Sequence, residues 1–244
     1  MKPTPPICII KAGSTFPESI AETGDFEDWL SAGLGLPQDA VRVLDAREVA
    51  ELPAPGECAG VVISGAHAMI TDELPWMTRL ADWTARVVAA QVPFLGICFG
   101  HQMLARAMRG RVNFHPQGRE IGRVSIELHA AAKADPLFAA MPQSFRAHAV
   151  HAQSVRTLPP GATLLAGNAF EATHAFRMGA CAWGVQFHPE FNVARMSVYL
   201  DHFAPTLQAV GQDAASIRAG LVATPEAASL LPRFARLARA DVWD

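Results

Sequence analysis

The sequence predicts an α/β fold with a doubly wound, mostly parallel sheet and an antiparallel extension. Short apolar, β-branched runs lie at 7–12, 40–44, 60–64 and 92–97, and most precede longer segments with helical spacing. Such alternation is typical of parallel sheets, whose strands are joined by crossover connections. Between the third and fourth runs, 71–90 has apolar residues at helical intervals and predicts one such crossover helix.

The second half of the chain has a different pattern. From about 120 to 190, strand-like runs follow one another with Pro and Gly turns between them, which predicts the antiparallel extension. These runs are 123–128, 145–150, 163–166, 174–177 and 181–187. Helical spacing then returns and predicts a C-terminal tail over about 192–244 that covers one face of the sheet. Because no repeat or linker interrupts the chain, residues 1–244 are predicted to form a single domain.

Composition excludes several classes of protein. The chain has 244 residues, of which 50% are apolar and 18% charged, with a formal net charge of -3, so it is neither disordered nor fibrous. This charge gives no basic field for nucleic acid or an anionic membrane surface. No apolar run approaches the roughly 20 residues of a spanning helix. The N-terminus lacks a signal-peptide pattern, which predicts a cytoplasmic location.

Cys98 stands where a buried-type strand runs into a helix. Glycines at 96 and 100 flank it and permit the sharp turn of a nucleophile elbow, with Cys in place of Ser. The helix N-terminus would favour the thiolate and stabilise an oxyanion. The alternative is that Cys98 is a small buried apolar residue, as most strand cysteines are.

A second candidate segment ends another strand. His188 is followed by Pro189, which keeps the preceding residue out of the helical region, and the turn can direct Glu190 back toward the imidazole. A carboxylate on one ring nitrogen would fix the tautomer and raise the basicity of the other. The alternative is a strand-end histidine beside a helix-capping glutamate.

Together the two segments resemble a known family. Gly96–Gln102 reads Gly-Ile-Cys-Phe-Gly-His-Gln and Gly184–Glu190 reads Gly-Val-Gln-Phe-His-Pro-Glu, closely similar to the two signatures of class I (triad) glutamine amidotransferases. Val61–His67 resembles the strand and glycine turn of that family's oxyanion hole. His148–Val155 is a weaker match to a substrate-contacting segment, with Ala152 where relatives commonly have glycine. The resemblance covers about 58–192.

The resemblance implies a flavodoxin-like fold and the hydrolysis of glutamine. Cys98 would attack the side-chain carboxamide, and His188, oriented by Glu190, would serve as acid and base. The N–H groups of Gly65 and Phe99 would form the oxyanion hole. The remaining residues assigned by resemblance would bind the substrate: Gln102, His151 and Ala152.

The sequence does not show which reaction uses the ammonia. The resemblance to GMP synthase amidotransferase domains implies a separate synthetase subunit as the partner that accepts it. Two alternatives stay open. The same thioester would form in a γ-glutamyl peptidase acting on glutathione-like compounds, and the substitution at Ala152 would suit a partner-dependent regulatory subunit. No cofactor is expected, and no Cys-pair or helical His/Glu pattern indicates a metal. A homo-oligomer is left open.

Overall fold

The computed structural model describes residues 4–240. The strands are β1 (Ile7–Lys11), β2 (Val41–Asp45), β3 (Gly60–Ile63), β4 (Phe94–Ile97), β5 (Arg111–Phe114), β6 (Glu120–Leu128), β7 (Ser144–His151), β8 (Gln153–Thr157), β9 (Thr163–Gly167), β10 (Ala175–Met178) and β11 (Ala182–Val185). The helices are α1 (Pro17–Thr23), α2 (Phe26–Leu34), α3 (Pro75–Ala89), α4 (Phe99–Ala107), α5 (Val193–Ala209), α6 (Ala214–Ala219), α7 (Pro225–Ala228) and α8 (Leu230–Ala238).

Nine strands form one mixed sheet in the order β2-β1-β3-β4-β11-β10-β9-β6-β7. The pairs from β2 to β11 are parallel, and those from β11 to β7 are antiparallel. The predicted parallel sheet with an antiparallel extension is therefore confirmed. Strand β11 belongs to both halves, because it pairs in parallel with β4 and antiparallel with β10.

Both faces of the parallel half are covered, as a doubly wound sheet requires. Alternate residues of β1 enter different hydrophobic clusters, Ile7 and Ile9 on one face, Cys8 and Ile10 on the other. The first cluster includes residues of α2 and α8, and the second includes residues of α3 and α4. A strand buried on both faces reads as a continuous apolar run, which is why the sequence signal of β1 is strong.

The helices of the C-terminal tail pack in two different hydrophobic clusters. Helix α8 packs on the sheet through Leu231, Phe234 and Ala238, so the predicted covering of one face is confirmed. Helix α5, which contains Pro205, instead packs with Phe16, Phe26 and Trp29 in a third cluster. Residues 241–244 of the predicted tail lie outside the described residues. The shared packing supports a single domain, which stays a prediction.

The sequence did not indicate a second, two-stranded antiparallel sheet formed by β5 and β8. Its residues give a weak signal, because most side chains of β5 are exposed and β8 reads Gln-Ser-Val-Arg-Thr without apolar alternation. Among residues 4–240, the helices are too short or too polar for any of them to span a bilayer. The cytoplasmic location stays a prediction.

Helix α4 begins so close to the sheet that two positions accept only glycine. A Cβ atom on Gly96 would collide with the carbonyl oxygen of Gly100, and one on Gly100 would collide with the carbonyl oxygen of Ile63. Both neighbours are backbone atoms and cannot rotate away. The strand-to-helix turn at residue 98 therefore depends on these glycines.

We expect Gly100→Ala to destabilise the fold by about 1–3 kcal/mol or more, since the added methyl group must displace backbone. Gly56→Ala is the matched control, because nothing lies within 4 Å of its Cβ position. Urea unfolding monitored by circular dichroism measures both. Equal stability of the two variants would contradict the close approach of α4 to the sheet.

Candidate active site

The predicted site residues come together at the carboxyl ends of three neighbouring parallel strands. Gly65 follows β3, Cys98 follows β4 and His188 follows β11. Ligands of open α/β sheets bind outside this edge. The sheet order therefore brings together residues that are up to 123 positions apart, from 65 to 188.

Cys98 occupies a strained turn. Its backbone has φ 50° and ψ -97°, a region that residues other than glycine seldom adopt. The amide N–H donates to the carbonyl oxygen of Val185 at 2.8 Å, which ties the elbow to β11. The Sγ atom lies 3.8 Å from the carbonyl oxygen of Val150. The predicted elbow is present, with the thiol at the N-terminus of α4.

His188 and Glu190 form a short hydrogen bond inside the protein. The Nδ1 atom of His188 lies 2.7 Å from Oε1 of Glu190, and both residues are buried, with 2% and 4% exposure. The backbone N–H of His188 donates to the carbonyl oxygen of His148 at 2.8 Å. The chain is thus anchored on both sides of the imidazole, and the predicted return of Glu190 toward the ring is observed.

The environment of His188 stabilises its protonated form. Burial lowers the pKa of the imidazole, but Glu190 and Cys98 outweigh this and raise it from 6.5 to about 10. A proton is therefore held on the ring at neutral pH. The imidazolium lies next to the Cys98 sulfur, where it can stabilise the thiolate and supply a proton to a leaving group.

The two predicted oxyanion donors lie beside this pair. A Cβ atom on Gly65 would come within 3.1 Å of Cε1 of His188, so the backbone at Gly65 lies against the imidazole. Phe99 is the first residue of α4, and the first N–H groups of a helix have no acceptor within it. Their role as the donors of an oxyanion hole stays a prediction.

The amide of Gln102 is already engaged by the protein. Its Nε2 atom donates to the carbonyl oxygen of Gln153 at 2.9 Å and to Oε1 of Gln186 at 3.0 Å. Gln102 lines the cavity that contains Cys98. Only its amide oxygen is left for a substrate. If Gln102 binds the substrate as predicted, it can do so only by accepting a hydrogen bond from a substrate N–H group.

His151 is held in a polar cluster that the sequence did not indicate. Its Nε2 lies 2.9 Å from Oε2 of Glu120, its Nδ1 lies 3.0 Å from the carbonyl oxygen of Gln153, and Nε2 of His174 lies 3.0 Å from the same oxygen of Glu120. Burial raises the pKa of Glu120, but the two histidines outweigh it and hold the pKa well below its usual range. Both ring nitrogens of His151 are therefore paired with groups of the protein, and neither is left to bind a substrate.

The same cluster has the composition of a metal site. One ligand atom from each of Glu120, His151 and His174 lies within 4.8 Å of the others. The 2.9 Å contact from His151 is a direct hydrogen bond, and Nε2 of His174 lies at ion-pair distance, 3.0 Å, from the same oxygen. The cluster thus satisfies a buried carboxylate and orients His151, whose neighbour Ala152 also lines the cavity.

Ala152 replaces the glycine that relatives commonly have, and the backbone tolerates it. The non-glycine residues with positive φ in the described chain are Glu73, Gln91, Cys98 and Arg109. Ala152 is not among them, so glycine is not required at this position. The regulatory-subunit alternative stays a prediction.

The cavity that contains Cys98 has a volume of about 260 Å³. Its wall includes residues that sequence reasoning missed: Phe16, Phe26, Arg119, Tyr199, His202 and Phe203. In the sequence, the spacing of Phe203 is that of an apolar residue on a helix that covers the sheet, so it does not indicate that Phe203 lines the cavity. Arg119 precedes β6 without any motif, so only the folded chain shows that it belongs to the site.

Comparison with known proteins supports one family. The model of the family described as glutamine amidotransferase class-I matches residues 34–204. A glutamine amidotransferase structure from Methylobacillus flagellatus superposes with a TM-score of 0.73 at 26% identity, covering 97% of this chain and 93% of that one. The chain belongs to the class I glutamine amidotransferase family.

Curated relatives carry two kinds of name. One subunit of the glutamine-hydrolysing GMP synthase of Methanococcus vannielii is 30% identical over 158 residues, 64% of this chain and 76% of that protein. γ-Glutamyl peptidase 4 of Arabidopsis thaliana is 30% identical over 156 residues, 63% of this chain and 62% of the peptidase. The GMP synthase of Thermomicrobium roseum is 36% identical over 131 residues, 54% of this chain but only 23% of that protein.

The raised pKa of His188 makes stability depend on pH. A histidine with a raised pKa adds stability that is complete below its unfolded value of 6.5 and is lost as pH rises through about 10. We therefore expect the unfolding free energy of the wild type to fall between pH 7 and 10, relative to that of His188→Gln. Urea titrations at pH 7, 8.5 and 9.5 measure the difference. Parallel profiles for the two proteins would contradict the assigned imidazolium.

Proposed function

We propose that the protein hydrolyses the side-chain amide of glutamine to glutamate and ammonia through a γ-glutamyl thioester on Cys98. The observation that supports this most is the buried arrangement of Glu190, His188 and the left-handed Cys98 turn, with a 2.7 Å bond between carboxylate and imidazole. A thiol activated by an oriented imidazole is the basic requirement of a cysteine nucleophile. The family relationship agrees with this chemistry.

In the first half of the reaction, the Cys98 sulfur attacks the side-chain carbonyl carbon and forms a tetrahedral oxyanion. The N–H groups of Gly65 and Phe99 stabilise this charge. His188 then gives its proton to the nitrogen, the carbon–nitrogen bond breaks, and ammonia leaves. In the second half, His188 takes a proton from water, which cleaves the thioester and releases glutamate. Glu190 orients the imidazole throughout.

We also propose that the ammonia is accepted by a separate synthetase subunit. The support comes from the Methanococcus vannielii relative, which is named as one subunit of its enzyme, so that enzyme has at least one further subunit. The full GMP synthase of Thermomicrobium roseum is about four times longer than the aligned part, since that part covers 23% of it. The reaction that would consume ammonia therefore belongs to a partner in this proposal.

A γ-glutamyl peptidase activity is the second candidate, and one observation favours it. The cavity continues beyond Cys98 along the aromatic side chains of Phe16, Tyr199 and Phe203. Release of ammonia alone requires no such surface. A substituted leaving amine could occupy it after forming the same thioester.

The central test is glutamate release from glutamine by the purified chain. We expect Cys98→Ala to lower the rate at least about 10³-fold, because removal of a nucleophile abolishes the covalent route. Cys58→Ala is the control, since Cys58 is also buried but lies at the opposite end of β3 from Gly65. Circular dichroism confirms folding. Undiminished activity of Cys98→Ala would rule out the proposed mechanism.

A second set of variants separates the base from its orienting group. We expect His188→Ala to remove most of the activity and Glu190→Ala to remove less, because orienting a base usually contributes less than being the base. Steady-state rates with glutamine measure both losses. Wild-type activity in His188→Ala would overturn the role given to His188.

A further inference from the structure

Five side chains with rings pack against one another in the lining of the cavity. We call the side chains of Phe16, His67, Tyr199, His202 and Phe203 the ring wall. The ring of Phe16 lies 4.3 Å from that of His67, 4.8 Å from that of Tyr199 and 3.8 Å from that of His202. The rings of His202 and Phe203 are 5.2 Å apart. Together they offer one continuous surface for an organic group.

The ring wall is connected to the imidazole that would protonate the leaving nitrogen. The ring of Phe191 stacks on His188 at 4.2 Å and lies 5.0 Å from the ring of Tyr199. In the proposed mechanism the leaving amine departs next to His188. A substituent on that amine would therefore extend along the ring wall, whereas glutamine, which releases ammonia, would leave it without a contact.

Arg119 lies at the far end of the ring wall. Its guanidinium carbon is 3.9 Å from the centre of the Phe203 ring, within the range of a cation–π contact. Burial lowers the pKa of Arg119, but a guanidinium group remains protonated at physiological pH. Within residues 4–240, no carboxylate forms an ion pair with it.

Arg119 lines the cavity that contains Cys98, and its guanidinium group carries five N–H donors in one plane. Such a fork suits the two oxygens of a carboxylate. Arg119 and Cys98 line the same cavity, so a ligand held by the guanidinium group would lie in the space that the sulfur also faces.

We propose that Arg119 is a specificity-determining residue that binds a carboxylate carried by the leaving amine. This inference rests on the thioester mechanism of the proposed function and deepens its second candidate, the γ-glutamyl peptidase activity. The preferred donors would be γ-glutamyl amides of amino acids, in which the body of the second residue contacts the ring wall. Cys98 sulfur bonds to the γ-carbonyl carbon, the bond from that carbon to the amino nitrogen breaks, and His188 protonates the nitrogen. Water then attacks the thioester and gives one proton to His188, glutamate is released, and the Cys98 sulfur leaves as the thiolate.

The test compares donors that differ only in the leaving amine. These are glutamine, γ-glutamyl-alanine, and γ-glutamyl-alaninamide, whose terminal carboxylate is masked. For the wild type we expect kcat/KM to be at least about tenfold higher for γ-glutamyl-alanine than for its amide. In Arg119→Gln this ratio should fall to about one, mainly through KM, and Arg119→Lys should restore part of it. Arg146→Gln, an exposed arginine on β7, is the matched control and should keep the wild-type ratio.

A binding measurement supplies a readout that does not need turnover. Calorimetry with Cys98→Ala should show tighter binding of γ-glutamyl-alanine than of its amide, and the added Arg119→Gln change should remove the difference. This preference would support the Arg119 site even if no donor were hydrolysed, a result that would count against the proposed function alone.

Three results would overturn the inference. The first is hydrolysis of glutamine by the wild type with no preference for the free carboxylate, which would leave the proposed function intact. The second is an equal loss for all three donors in Arg119→Gln, since that would assign Arg119 to the glutamyl half or to the fold. The third is neither turnover nor binding of any donor, which would overturn both proposals.

Discussion

The site depends on the close contact between the start of α4 and the backbone of β3 and β4. This contact is possible because Gly96 and Gly100 have no side chains. It forces the residue between them into the left-handed region, and that residue is Cys98, with φ 50°. The hydrogen bond from its N–H to Val185 then links the turn to β11, the strand that leads to His188. One backbone constraint thus positions Cys98 and ties it to the strand that leads to His188.

A layer of buried polar groups next to this turn holds the part of the site formed by His151 and Ala152. Glu120 receives two histidines from β7 and the segment before β10, and Gln102 connects α4 with Gln153 and Gln186. Buried polar groups of this kind are costly unless paired, so the pairing specifies one arrangement of the strands. The antiparallel extension is therefore more than a continuation of the sheet, because it supplies the strand ends that carry His151 and Ala152.

Local sequence sufficed to predict where Cys98 and His188 lie in the fold. Each follows an apolar strand, Cys98 between two glycines and His188 before a proline, so both signals lie within seven-residue segments. The wall of the cavity had no such signal. Tyr199 and Phe203 lie four residues apart on α5, and that spacing is equally typical of a helix packed on a sheet. For Arg119 the informative fact is the lack of a carboxylate partner within residues 4–240, which depends on contacts across the whole fold.

The proline within α5 divides the helix into an intact turn, which carries Tyr199, and an interrupted turn next to His202 and Phe203. Pro205 has no N–H, so the helix loses the hydrogen bond that would return to the carbonyl oxygen of Asp201, one residue before His202. Tyr199, which is buried and bonded to Thr15 through its hydroxyl, lies before this interruption. The floor of the cavity is thereby fixed by an intact helical turn, while its rim at His202 and Phe203 borders the weakened one. A molecule entering from solvent therefore reaches the exposed His202, beside the interrupted turn, before it reaches the buried Tyr199.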